Sequence, residues 1–78
     1  MAVLTVWRFS PEYADQTLIG ITFTNEMAWS LCYQDAKNNN LALSDSQKFN
    51  LEYCQECQTE DGQHKLYQII HTSTDVLI

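Results

Sequence analysis

The run VLTVWRFS, Val3 to Ser10, alternates with a period of two. In an extended chain Val3, Thr5, Trp7 and Phe9 point one way, and Leu4, Val6 and Arg8 the other. Both sets are rich in apolar, β-branched or aromatic residues, so the chain opens with a strand and the fold must contain a sheet. Pro11 stops the run, PEYADQ reads as a connection, and TLIGITFT, Thr17 to Thr24, reads as a second strand with Ile19, Ile21 and Phe23 on one face. Gly20 inside it marks a bulge or a place where another element packs closely.

Helix signals follow at once. Thr24 or Asn25 is a good N-cap, because its side-chain oxygen can accept from a free amide of the first turn, and Glu26 suits the positive end of the helix dipole. EMAWSLCYQDAKNNN then sets Ala28, Leu31, Cys32 and Asp35 along one stripe, flanked by Met27, Trp29 and Tyr33. Such an arc fits a helix lying on a sheet. Asn38, Asn39 and Asn40 end it, since asparagine tolerates the left-handed C-terminal conformation.

Residues 41–58 support two readings. SDSQ, Ser44 to Gln47, has the form of a capping box, and Phe49, Tyr53 and Cys57 recur every four residues, as in a helix. FNLEY, however, alternates, and Asp61-Gly62 is a hairpin turn signal. With Asp61-Gly62 as a two-residue loop, Cys57 faces Leu66, Tyr53 faces Ile70, Leu51 faces Thr72 and Phe49 faces Thr74. On the other side Lys48 meets Asp75, Glu52 meets His71, Cys54 meets Ile69 and Glu56 meets Tyr67. Mostly apolar pairs on one face and opposite charges on the other favour the hairpin. The expected fold is therefore α+β, in the order β-β-α-β-β: one compact domain over residues 1–78, with a four-stranded, mainly antiparallel sheet and one helix packed on a face.

Charge narrows the partners. Ten carboxylates face four cations, Arg8, Lys37, Lys48 and Lys65, for a net charge of −6. Direct nucleic-acid binding needs clustered lysine and arginine to neutralise phosphates, so it is not expected, and neither is an acidic membrane surface. A partner protein with a basic surface fits instead. No charged segment followed by a long apolar run opens the chain, and no stretch reaches the roughly 18 apolar residues of a membrane span. With an odd number of cysteines, three, this points to a reducing, cytoplasmic setting rather than a disulfide framework.

Cys54, Cys57, His64 and His71 have the composition of a structural zinc site. Finger-type sites leave about twelve residues between the cysteine pair and the first histidine and three to five between the histidines; here both intervals are six. No cofactor is therefore expected, and a small zinc domain stands as the alternative. Glu52 and His71 could form an acid–base pair, but cross-strand charge pairs of this kind are usually solvated contacts. So small a domain also leaves little room for a catalytic pocket. No enzymatic activity is expected.

Protein binding remains. One helix covers one sheet face, leaving either Trp7 and Phe9 or Leu4 and Val6 on the other, and exposed aromatic patches mark interfaces. Trp7 packing on Trp29 in the core is the competing reading. The acidic residues Glu52, Glu56, Glu60 and Asp61, with Tyr67 beside them, outline a hairpin face able to imitate a row of phosphates. Such a protein would act as an inhibitor or regulator by occupying a basic, nucleic-acid-binding surface. Small inhibitors carried by phages and mobile elements, such as anti-restriction and anti-CRISPR proteins, share this profile; the analogy is one of class, without a shared motif. A sheet face or free edge could also serve a homodimer.

Overall fold

The computed structural model describes residues 2–10 and 15–73, with side chains for 3–10 and 15–72. The Pro11 stop, the connection after it and the pairings expected for Thr74 and Asp75 lie outside the described residues. The elements are β1 (Ala2–Ser10), β2 (Asp15–Thr22), α1 (Asn25–Asn38), α2 (Asp45–Cys54), β3 (Glu56–Gln58) and β4 (Lys65–Ser73). The strands form one antiparallel sheet in the order β2-β1-β4-β3. The α+β class and the four-stranded sheet stand, but two helices cover it rather than one.

The correction falls on residues 44–57. Ser44 caps α2: its hydroxyl accepts from the Gln47 amide, and the Gln47 side chain accepts from the Ser44 amide at 2.8 Å. Gln47 Nε2 also donates to the carbonyl of Gln58 at 2.8 Å, tying the helix start to β3. Gln47 and Leu51, one turn apart, are the residues of α2 that are buried, so four-residue spacing wins over the short alternation of FNLEY. Phe49 and Tyr53 stack on the outer side at 4.5 Å between ring centroids. The helix stops at Gln55, which takes a left-handed φ of 62°. Only three residues of the expected strand remain as β3.

The turn is also longer than two residues. Thr59 accepts from the Gly62 amide and donates to the His64 carbonyl, both at 2.8 Å, and Gly62 has a φ of 72°. The pairing is consequently Cys57 with Tyr67 and Glu56 with Gln68, one residue away from the expected register.

α1 begins and ends as expected. Thr24 caps it, and Asn40 takes the left-handed conformation, with φ at 59°. The Leu41 amide then bonds back to the Ala36 carbonyl at 2.8 Å and the Asn40 amide to that of Lys37 at 3.2 Å, which closes the helix end. α1 lies over β1 and β2, and α2 over β3 and β4. The core combines Leu4, Val6, Cys57, Leu66, Tyr67 and Ile69 from the sheet with Ala28, Cys32, Ala36 and Leu51 from the helices.

Two bulges set which side chains enter that core. Val6 pairs with Gly20 but Trp7 with Leu18, so Ile19 is an extra residue in β2. Ile19 packs against the core while Ile21 is exposed, contrary to their expected common face. In the same way Leu66 is extra in β4, and both Leu66 and Tyr67 are buried. Gly20 also provides close approach: a Cβ there would lie 2.6 Å from Leu31 Cδ1. No helix among the described residues is long and apolar enough to cross a membrane.

Candidate interaction surface

With Leu4 and Val6 buried beneath the helices, β1 turns Val3, Thr5, Trp7 and Phe9 to the opposite, uncovered face. Cross-strand pairing extends this face sideways. Leu18 lies opposite Trp7, and Ile21 and Ile70 flank Thr5 on its two sides. Leu18, Ile21 and Ile70 are 44%, 59% and 40% exposed. Trp7 is half-buried and donates from Nε1 to Thr5 Oγ1 at 3.0 Å, which ties its ring to the neighbouring side chain on the same face. Trp29 belongs to the core side, so the two tryptophans do not form a common cluster.

One charged pair decorates the apolar face. Lys65 stands 5.5 Å from the centroid of the Phe9 ring and 3.4 Å from Glu56. Glu60 and Asp61 sit exposed in the turn before β4, and Asp15 starts β2 at the same end of the sheet, opposite Ser10. Asp61 is held by the Thr59 hydroxyl and the Gln63 amide, which lower its carboxyl below the usual range.

The expected acidic row therefore does not exist as one surface. Glu52 is on α2 beside Tyr33, whose phenol is pushed up by burial and by that carboxylate. Glu56 lies on the open sheet face, and Glu60 and Asp61 are at the turn. Tyr67 is fully buried, so its side chain belongs to the core and not to a binding surface. Of the expected contact residues, Trp7 and Glu56 share the open face.

Tyr67 belongs to a network that sequence reasoning missed. Its hydroxyl donates to Asp35 Oδ2 at 2.6 Å, and Arg8 Nη1 donates to both oxygens of Asp35 at 2.7 and 3.0 Å. Burial, then the Asp35 carboxylate, pushes the phenol well above its ordinary value. The signal was available: Arg8 shares the inward side of β1 with Leu4 and Val6, and Asp35 shares the inward stripe of α1. Two opposite charges on facing apolar surfaces are driven to pair.

The other chemical candidates are separated. Cys57 is buried against Tyr67, Cys54 is exposed at the end of α2, His64 lies in the turn, and His71 pairs with Leu4. Among the described residues no group of three or more potential ligands gathers. Glu52 and His71, on different elements, no longer face each other across a strand pair. Burial, assisted by Cys57 and Asp35, pushes the Cys32 thiol up to about 12. Cys57 rises to about 11 through burial, partly opposed by a backbone hydrogen bond from Tyr67. Both thiols stay protonated at neutral pH and act as small apolar core groups. Searches of family models, curated proteins and solved structures find no match to this chain.

Proposed function

We propose that this protein is a non-enzymatic binding module that docks its open sheet face on a partner protein whose contact surface is apolar at the centre and basic at the rim. One observation carries the reading: both helices cover the same side of the sheet, leaving Trp7, Phe9, Leu18, Ile21 and Ile70 on the other. Aromatic anchors surrounded by aliphatic residues are the usual energetic centre of an interface. Charge selects the partner. The net charge of −6 and the carboxylates Asp15, Glu60 and Asp61 at one end of the sheet favour a basic rim, which steers encounter. A nucleic-acid-binding protein of the cytoplasm has such a surface, and occupying it would make this chain an inhibitor or regulator of that partner.

The test is affinity capture from nuclease-treated host lysate with three forms: wild type, Leu18→Lys with Ile21→Lys, and Glu60→Lys with Asp61→Lys. All four positions are exposed, so the fold should persist, as circular dichroism would verify. The expected result is a partner lost in the sheet-face variant and weakened in the turn variant and at high salt. Identical capture by wild type and the sheet-face variant would refute the reading. A concentration-dependent homodimer abolished by the same variant, without a partner, would replace it with self-association.

A further inference from the structure

The four cations of this acidic chain are unevenly employed. Arg8 is bound to Asp35 and Lys65 to Glu56, while Lys37 and Lys48 form no ion pair among the described residues. These two lysines line the same cleft, a hollow of about 630 Å³ between the end of α1, the 39–44 connection and α2. Its walls include Tyr33, Leu41, Leu43 and Glu52. Leu41 is exposed and Leu43 half-buried, so the cleft combines an apolar floor with two available ammonium groups. Its size falls within the roughly 300–1,000 Å³ typical of small-molecule sites.

We infer that this cleft binds a small amphipathic anion: an apolar body carrying a single carboxylate or phosphate head. Both walls are preorganised. On one side, the closed end of α1 engages the Ala36 and Lys37 carbonyls with the Leu41 and Asn40 amides. The partial negative charge of the helix end is thereby satisfied locally, rather than left to repel an anion. On the other side, the Ser44–Gln47 capping box holds the first turn of α2 and with it Lys48.

Lys48 and Glu52 are one helical turn apart, yet they form no ion pair among the described residues, and Glu52 lies beside Tyr33. Glu52 remains the charge that restricts the ligand, since a second anionic group near that wall would be repelled. The cleft lies on the helix side, away from Trp7 and Ile21, so this inference is independent of the sheet-face interface.

The experiment is an amide-resolved NMR titration of the whole chain with octanoate, octyl phosphate and neutral octanol. Saturable shifts should appear at residues 36–43 and 48–52 with one or both anions, and the tighter of the two identifies the head group. Octanol should bind about tenfold more weakly, as expected for two partly exposed charge contacts. Lys37→Gln with Lys48→Gln should reduce anion affinity by a similar factor, and arginine at both positions should restore it. Both side chains are exposed, and unchanged signals from the core residues Val6 and Ile69 would show that the variants fold. Equal binding of octanol, unchanged anion affinity in the glutamine variant, or shifts centred on Leu18, Ile21 and Ile70 would each overturn the inference.

Discussion

Asp35→Ala tests the network that joins α1 to the two central strands. The carboxylate accepts from Arg8 at 2.7 and 3.0 Å and from the Tyr67 hydroxyl at 2.6 Å. The Arg8 and Asp35 side chains are 26% and 16% exposed. Breaking a fully buried pair costs about 3–5 kcal/mol and an exposed one under about 1, so this intermediate case should cost about 1–2. Tyr67 is fully buried, and a hydroxyl left there without an acceptor adds about 1–3 kcal/mol. Alanine returns up to about 0.7 kcal/mol in helix propensity. The net loss is about 2–4 kcal/mol, a large part of the roughly 4–12 kcal/mol expected for a domain of this size. Urea unfolding followed by tryptophan fluorescence measures it. Tyr67→Phe, which leaves the ion pair intact, should cost less than about 1.5 kcal/mol, and the double variant should be non-additive. A loss below about 1 kcal/mol for Asp35→Ala, or strict additivity with Tyr67→Phe, would refute the account.

Gln47→Ala removes both the capping contact and the bond to the Gln58 carbonyl, and should cost about 2 kcal/mol; matched unfolding curves for Ser44→Ala would isolate the cap alone. Gly20→Ala places a methyl against Leu31 and should cost about 1–3 kcal/mol, with Leu31→Ala relieving part of the strain in a double-mutant cycle. In the native protein an aromatic disulfide reagent should titrate one thiol quickly, that of exposed Cys54, and Cys32 and Cys57 only on unfolding. Those two thiols and Tyr67 have folded pKa values raised above their unfolded ones. Their contribution to stability is therefore complete below pH 9, the ordinary thiol value, and is lost as pH rises through the folded values. Urea midpoints should fall from pH 9 upward, and Cys32→Ala should flatten that fall relative to its own neutral-pH value.

Local chemistry was enough for the elements with one consistent signal. Val3–Ser10 alternates because a strand must present two faces, and Thr24 and Asn40 mark the ends of α1 because capping depends on one or two residues. Of the two meanings Gly20 offered, close approach is its own, as the seat of Leu31, while the bulge falls on its neighbour Ile19. The class of the fold and the excess of negative charge follow from the chain alone. Residues 44–57 carried two signals, and only tertiary structure chose between them. Gln47 gains a second partner in β3, and Leu51 gains a place in the core, neither of which a local pattern contains. Register was decided in the same way. The extra residue Leu66 lets two consecutive side chains, its own and that of Tyr67, enter the core, and the extra residue Ile19 turns inward out of step with Ile21, so strict alternation places their neighbours on the wrong face. That is why Tyr67, read as part of a surface, is buried on Asp35, and why the acidic side chains separate. Which face of β1 meets water was likewise open until α1 packed over that strand and the core closed on Leu4 and Val6, because a single strand with two apolar sides holds no information about where its cover will come from.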